Sequence, residues 1–226
     1  MAAAQGKTNW FAIGISAAVV VVLVVLGGVV VFLNNQATAP GEAPETAGIV
    51  NSETGAISFG EGETTIDTYV DFMCPICGQF EDAYGEQLQE AAANGDITLN
   101  IHPISILNRA STTGEYSSLA AGSMYCVAAE APDAALEYFN LLFANQPEEG
   151  TAGLTEDQLV AFAEQAGAGG AAECITDGTY MTFTEDQVDN TPPDPTTGGV
   201  GTPTVVIDGE RIDNSEIATR FAEILG

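Results

Sequence analysis

The longest run of apolar positions lies near the amino terminus and divides the chain into two parts. Residues 10–33 contain no charged side chain and are rich in valine, isoleucine and leucine. As a helix, this run would be about 36 Å long, which suffices to span a bilayer with some tilt. The pattern predicts a single transmembrane anchor over residues 10–33. Residues 1–9, with Lys7 as their one basic side chain, would form a short cytoplasmic amino terminus.

A cleavable signal peptide is the alternative interpretation of the same run. Its apolar region would be unusually long, and Ala37-Thr38-Ala39 is followed by Pro40, which disfavours cleavage at that point. The uncleaved anchor therefore fits the pattern better. It predicts that a flexible linker over residues 34–54 and a folded domain over residues 55–226 lie outside the cytoplasm.

Within the predicted domain, alternating and continuous apolar runs indicate a sheet connected by helices. Residues 66–72 and 97–103 have the β-branched and aromatic composition of core strands, and a helix ending near Asn94-Gly95 separates them. This order predicts a right-handed crossover between two neighbouring strands. Shorter strands are expected at residues 56–59, 204–207 and 211–212, with a hairpin turn at Asp208-Gly209 between the last two.

Residues 108–190 change to helical periodicity, so the predicted class is α/β with a helical subdomain inserted between two parts of a sheet. A final helix is expected after residue 213, with Asn214 or Ser215 as its cap. Within the insertion, helices are expected near residues 113–129, 132–145, 155–162, 171–174 and 179–188.

The charge distribution excludes several classes of partner. The chain has 32 acidic and 4 basic residues, a formal net charge of −28, and no Asp or Glu precedes Glu42. A domain with this charge repels nucleic acid and the anionic surface of a bilayer. We therefore expect no nucleic acid partner, and membrane attachment only through residues 10–33.

The candidate chemistry lies where the first core strand meets the helix that follows it. Cys74-Pro75-Ile76-Cys77 stands at this junction, so that Cys74 lies at the helix N-terminus and Pro75 at the first helical position. Backbone N–H groups and the helix dipole would then favour a thiolate at Cys74. A thiolate with a second cysteine one helical turn away is suited to thiol–disulfide exchange.

A structural disulfide and half of a zinc site are the alternative interpretations of this pair. Zinc would need two more ligands, and the remaining candidates are His102, Cys126 and Cys174, which are far apart in sequence. We therefore expect no metal. Cys126 and Cys174 both fall in the helical region and are expected to form a structural disulfide, with two free buried thiols as the alternative.

The segment Asp71-Phe72-Met73-Cys74-Pro75-Ile76-Cys77 resembles the D-(F/Y)-x-C-P-x-C signature of DsbA-like thioredoxin-fold oxidoreductases. Gly201-Thr202-Pro203-Thr204 resembles the cis-proline loop of that family, and the resemblance covers about residues 50–226 in order and spacing. It implies a thioredoxin-like fold with an inserted helical subdomain, preceded here by a transmembrane helix.

The resemblance also implies a role for each matching residue. Cys74 would be the nucleophile that forms the mixed disulfide, and Cys77 the resolving thiol. The Pro75-Ile76 dipeptide would tune the reduction potential. Pro203 would form a cis bond beside the cysteine pair, and the backbone of Thr202 would pair with a substrate peptide. No cofactor is expected.

The chain departs from thioredoxin-like proteins at one position. They often bury an acid six residues before the first cysteine, and Thr68 stands there. Asp67 is expected on the other strand face and Asp71 at the strand end, so the proton of Cys77 would pass to water or to Asp71. His102 is expected to be a strand residue with an ordinary hydrogen bond.

Together these features predict a membrane-anchored, extracytoplasmic thiol:disulfide oxidoreductase that introduces disulfides into exported, cysteine-containing polypeptides. By resemblance, a quinone-linked membrane protein would reoxidise it. The first alternative is a disulfide reductase or isomerase that uses the same site. The second is a non-enzymatic binding module on the same fold, since a fold alone does not determine function.

Overall fold

The computed structural model describes residues 21–29, 41, 43–44 and 48–226. The chain divides into two compact units, Met1–Pro40 and Gly41–Gly226. In the first unit, residues 21–29 are helical. No helix among the described residues is long and apolar enough to cross a membrane. Most of the predicted anchor, residues 10–33, lies outside the described residues, as do residues 1–9 and much of the predicted linker.

In the described part of the second unit, five strands form one mixed sheet in the order β1-β3-β2-β4-β5. β2 and β3 are parallel neighbours, whereas the β1–β3, β2–β4 and β4–β5 pairs are antiparallel. The two predicted core strands therefore lie side by side, as expected. The strands are β1 (Ile57–Phe59), β2 (Thr64–Val70), β3 (Ile97–Pro103), β4 (Thr204–Ile207) and β5 (Glu210–Ile212).

The connection from β2 to β3 is helical. It consists of α1 (Pro75–Phe80), a π-helical segment (Glu81–Gly85) and α2 (Glu86–Asn94). Gly95 ends α2 with φ of 78°, a left-handed conformation that glycine adopts without steric cost. The predicted helix end at Asn94-Gly95 is therefore confirmed.

The helical insertion between β3 and β4 is organised around α3 (Tyr116–Glu130). This helix has no polar face and is buried on nearly all sides. A disulfide joins Cys126 in α3 to Cys174 in α6, with Cα atoms 5.8 Å apart. Thr155 caps α5 (Glu156–Ala166) in a capping box with Gln158, as the Thr-x-x-Gln spacing of this segment predicts. The helices are α3 (Tyr116–Glu130), α4 (Ala135–Ala144), α5 (Glu156–Ala166), α6 (Ala172–Thr176) and α7 (Met181–Asp186).

The carboxyl-terminal part completes the sheet with β4, β5 and α8 (Ile217–Leu225). The turn between the strands has φ of 49° at Asp208 and 83° at Gly209, as the predicted hairpin requires. The predicted cap of α8 was wrong, because the helix begins after Glu216 without a side-chain cap. The Ser215 hydroxyl instead donates to Asp213 Oδ1 at 2.6 Å and stabilises the preceding turn.

The folded unit also includes residues just before the predicted domain boundary at residue 55. Val50 is buried in the core and forms an antiparallel bridge with Ile57. The carbonyl oxygen of Ile49 accepts a hydrogen bond from the N–H of Ser58 at 2.8 Å. Ile49 and Val50, which we expected to belong to the linker, therefore extend the sheet edge at β1.

Candidate active site

A sharp turn at the end of β2 places Cys74 at the start of α1. Asp71 Oδ1 accepts the N–H of Met73 at 2.8 Å, and its carbonyl oxygen accepts the N–H of Cys74 at 3.0 Å. Cys74 has the extended backbone of an N-cap residue, with φ −78° and ψ 114°, and Pro75 is the first helical residue. The turn therefore presents the Cys74 sulfur to the first backbone N–H groups of the helix.

The surroundings of Cys74 favour its thiolate. The pKa of Cys74 falls to about 6, chiefly because the Cys77 thiol donates a hydrogen bond to its sulfur. The Thr202 side chain and the backbone N–H groups of Cys77 and Ile76 lower the pKa further, while partial burial opposes them. Pro75 contributes no N–H, so the anion is held by the next two residues of the helix.

The second cysteine has the opposite properties. Burial raises the pKa of the Cys77 thiol well above its ordinary value, and its hydrogen bond to the Cys74 sulfur raises it further. Cys77 is 0% exposed, whereas Cys74 is 6% exposed. Both thiols are free in this structure. The pair thus has one ionised, more accessible sulfur and one protonated, enclosed sulfur.

The cis-proline loop lies directly beside the first cysteine. The Thr202–Pro203 peptide bond is cis, and the carbonyl oxygen of Thr202 lies 3.4 Å from Cys74 Sγ. β4 follows at once and pairs antiparallel with β2, with Thr204 opposite Tyr69. This pairing brings together two segments that are 128 residues apart in sequence.

Asp71 is a buried carboxyl group next to the cysteine pair. It is 0% exposed and accepts hydrogen bonds from the N–H of Met73, the N–H of Leu107 at 2.9 Å and the Ser117 hydroxyl at 2.8 Å. Burial raises its pKa to about 6, against the effect of these hydrogen bonds, and the charge on Cys74 raises it as well. The carboxyl thus titrates in the same pH range as Cys74.

Asp67 and His102 are engaged with each other. His102 Nε2 lies 2.9 Å from Asp67 Oδ1, and His102 Nδ1 lies 3.2 Å from the carbonyl oxygen of Thr54. The imidazole also stacks on Tyr69, with ring centroids 4.1 Å apart. Since Asp67 is committed to this contact and Thr68 has no carboxyl, Asp71 is the acid that the fold places near the sulfurs.

Two groups at this site could not be found from the sequence. The Gln146 amide donates to the carbonyl oxygens of Phe72 and Cys74, and Ser117 holds Asp71. Both come from the helical insertion, far from the cysteine pair in sequence. Neither belongs to a motif, so only the packing of the insertion against the turn reveals them.

The surface next to the pair is apolar in places. Ile76 is 53% exposed and Val200 is 39% exposed. Within residues 48–226, these two are the large apolar side chains that are exposed to solvent. Ile76 lies between the two cysteines, and Val200 lies in the loop that precedes Thr202.

Within the described residues, no group of His, Cys, Asp and Glu side chains could hold a metal ion.

The pKa of Cys74 makes a direct prediction about its reactivity. In the reduced protein, we expect the rate of iodoacetamide labelling at Cys74 to be half-maximal near pH 6, while Cys77 stays unlabelled. Mass spectrometry of each cysteine over a series of pH values measures this. In denaturant, both cysteines should label with a midpoint at about pH 8.5. A midpoint near that value in the folded protein would contradict the proposed stabilisation of the thiolate.

Known proteins share this fold. A family model described as Thioredoxin, Thioredoxin_4, matches residues 55–225. The crystal structure of oxidised DsbA from Mycobacterium tuberculosis is 26% identical, with a TM-score of 0.64 over 76% of this chain and 93% of that one. The reduced form of the disulfide bond oxidoreductase DsbG from the same organism is 27% identical, with a TM-score of 0.63 over 85% and 91%.

Curated relatives match over part of their length. Serine/threonine-protein kinase PknE of Mycobacterium tuberculosis is 29% identical over 171 residues, which is 72% of this chain and 30% of the kinase. The chain thus spans less than a third of the curated relatives that it matches. The family model, in contrast, covers most of this chain, and the solved structures have the same fold with the helical insertion. The chain belongs to the Thioredoxin_4 family and has a DsbA-like thioredoxin fold.

Proposed function

We propose that this protein is a thiol:disulfide oxidoreductase that introduces disulfides into exported polypeptides. A substrate thiolate attacks Cys74 of the Cys74–Cys77 disulfide, and Cys77 leaves as the thiolate and takes up a proton. A second substrate thiolate then attacks the substrate sulfur of the mixed disulfide, and Cys74 leaves as a thiolate. The substrate thereby loses two electrons, and the cysteine pair gains them.

The single observation that carries this proposal is the contrast between the two sulfurs. Cys74 is the more accessible, with its pKa lowered to about 6, and Cys77 is enclosed, with its pKa raised. A stabilised thiolate is a good leaving group at the pH of the cell exterior. A purely structural disulfide has no need of this asymmetry.

The same contrast favours the oxidising direction. Interactions that stabilise the Cys74 thiolate exist only in the reduced protein, so they lower the free energy of the reduced state relative to the disulfide. The disulfide is then the stronger oxidant. The Pro75-Ile76 dipeptide contributes by leaving the N–H groups of Ile76 and Cys77 free to hold the anion.

Substrate recognition is assigned to the cis-proline loop. We propose that the backbone of Thr202, held against Cys74 by the cis bond at Pro203, pairs with an extended substrate peptide in strand-like fashion. Exposed Ile76 and Val200 would contact apolar residues next to the substrate cysteine. Main-chain pairing of this kind tolerates many sequences, as an enzyme acting on diverse exported chains requires.

The proposed location is the outer side of the cell membrane. Residues 10–33 would form an uncleaved single-pass anchor with residues 1–9 in the cytoplasm, and the residues between this anchor and Ile49 would form a linker. The disulfide between Cys126 and Cys174, for which we propose a purely structural role, agrees with an oxidising compartment. A quinone-linked membrane protein would reoxidise the reduced pair.

The reduction potential of the Cys74–Cys77 pair tests the direction of transfer. We expect a value less negative than about −200 mV, because stabilisation of the reduced state raises the potential. Equilibration with glutathione buffers, followed by alkylation and mass spectrometry of the Cys74–Cys77 peptide, measures it without interference from Cys126 and Cys174. A reduction potential like that of thioredoxin, about −270 mV, would favour the alternative, a reductase or isomerase with the same site.

A further inference from the structure

The side chain of Gln146 contacts the turn that carries Cys74. It lies just after α4, and its Nε2 donates to the carbonyl oxygen of Cys74 at 2.8 Å and to that of Phe72 at 3.2 Å. Its own backbone is fixed, because its N–H donates to the carbonyl oxygen of Phe143 at 3.1 Å. Both hydrogens of the amide are therefore used on the backbone of the turn.

The Phe72 carbonyl group belongs to the peptide plane before Met73, and the Cys74 carbonyl group belongs to the peptide plane after Cys74. Two contacts that span Met73 and Cys74 restrict the backbone angles of both residues, and the angles of Cys74 set the direction of its side chain. A carbonyl oxygen can only accept a hydrogen bond, so the contact requires a donor at residue 146. Glutamine supplies two N–H groups from one nitrogen, whereas glutamate would place acceptor against acceptor.

The other end of the same amide lies over Gly78. A Cβ atom added to Gly78 would overlap Gln146 Oε1 and force the amide to turn away. The N–H of Gly78 meanwhile donates to the carbonyl oxygen of Cys74 at 3.2 Å, so this oxygen accepts from the helix and from Gln146 together. The close approach of the amide thus depends on the glycine that follows the cysteine pair.

The helical insertion reaches this turn in a second way. The Phe72 ring packs against Phe139 and Phe143 of α4, with centroids 5.8 and 5.0 Å apart. This aromatic contact anchors α4 beside the turn, and Gln146 extends the same contact to the backbone. The insertion therefore touches the nucleophile's turn through side chain and main chain alike.

We propose that Gln146 is a positioning residue of the exchange reaction: from the helical insertion it holds the peptide planes around Cys74, so that the N–H groups of Ile76 and Cys77 stay aimed at the Cys74 sulfur. The inference rests on the proposed function and deepens it. It assigns to the insertion a part in the chemistry as well as in the core.

The chain supplies a matched control. Gln89 in α2 and Asn140 in α4 exchange two side-chain hydrogen bonds, at 2.8 and 3.0 Å. This pair also joins α4 to the connection between β2 and β3, and it is formed by residues outside the cysteine turn. Asn140→Ala removes an amide bridge of similar kind from an exposed position. A change in the Cys74 labelling midpoint that occurs with Gln146→Ala but not with Asn140→Ala is therefore due to the lost contact with the cysteine turn.

The test is the pH dependence of Cys74 alkylation in the reduced protein, which needs no substrate and therefore holds whether or not the proposed function is right. Gln146→Ala should raise the labelling midpoint by about one pH unit, which lowers the thiolate fraction about tenfold below the midpoint. Gln146→Glu should raise it at least as far, because its carboxylate faces two carbonyl groups. Asn140→Ala should titrate as the wild type does.

Thermal unfolding of each variant shows whether the fold is retained. Gly78→Ala disturbs the contact between Gly78 and the Gln146 amide while keeping Gln146, and so tests the proposal even if Gln146→Ala does not fold. Gly78→Ala should raise the midpoint in the wild type and add nothing in the Gln146→Ala background. The proposal is overturned if Gln146→Ala leaves the midpoint unchanged, if Asn140→Ala shifts it equally, or if the Gly78 and Gln146 effects add.

Discussion

Cys77→Ser should accumulate a covalent complex between Cys74 and a substrate cysteine. In this variant, the Cys74 thiolate attacks the peptide sulfur of a peptide–glutathione mixed disulfide, and glutathione leaves as the thiolate. In the wild type the same complex is short-lived, because Cys77 attacks the Cys74 sulfur, releases the peptide thiol and closes the Cys74–Cys77 disulfide. A serine hydroxyl cannot do this, and we expect the lifetime of the complex to increase by at least about 100-fold.

Non-reducing electrophoresis and mass spectrometry of the trapped species measure this lifetime. Cys74→Ser is the control and should form no complex at all, since enclosed Cys77 has a raised pKa and is 0% exposed. A non-enzymatic binding module would trap nothing in either variant. A complex that decays as fast with Cys77→Ser as in the wild type would rule out a resolving role for Cys77.

Removal of the second disulfide should lower stability without changing the chemistry. Cys126 and Cys174 are 48 residues apart, and a cross-link of this span stabilises the folded state by about 4 kcal/mol in the chain-entropy model. We expect Cys126→Ala/Cys174→Ala to lose roughly this amount, because the unfolded chain regains its freedom while α3 stays buried. Urea unfolding of the oxidised proteins, compared at equal slope, measures the difference.

The labelling midpoint of Cys74 is the control for this pair of substitutions. It should remain that of the wild type, because neither Cys126 nor Cys174 is among the groups that set the Cys74 pKa. A stability loss below about 1 kcal/mol would contradict the structural role of the disulfide. A shifted midpoint would instead connect the disulfide with the exchange site.

The parts of the fold that the sequence predicted well are those set by local rules. The two core strands, the αL glycine at Gly95 and the hairpin turn at Asp208-Gly209 follow from side-chain periodicity and from backbone angles that few residues tolerate. The capping box at Thr155 follows from a short spacing rule. Each of these signals lies within a few residues of the structure that it specifies.

The predictions that failed or were incomplete depend on competition or on distant contacts. Asn214 and Ser215 have good capping chemistry, but Asp213 competes for the Ser215 hydroxyl and forms a turn. Ile49 and Val50 fall in the range predicted as a linker because its composition is mostly polar, yet they pair with the open edge of β1. Such outcomes follow from neighbours that only the folded chain supplies.

The candidate site was likewise predictable only where its residues form contiguous motifs. The sequence located the cysteine pair and the cis-proline loop because both are contiguous motifs, and the structure brings them within 3.4 Å of each other. Asp71 could be named only as one of two proton acceptors, since its enclosure depends on Leu107 and Ser117. Gln146 carried no signal, because an amide after a helix has many equally ordinary uses.

The long separation between Cys74 and Thr202 has a consequence for biogenesis. A chain that is synthesised from its amino end contains both cysteines of the pair well before β4 exists. Until β4 forms and pairs with β2, the Cys74 sulfur lacks its contact with the Thr202 carbonyl oxygen, so the site is complete only once nearly the whole chain has been synthesised. Cys126 and Cys174 are therefore both synthesised while the site at Cys74 is still incomplete.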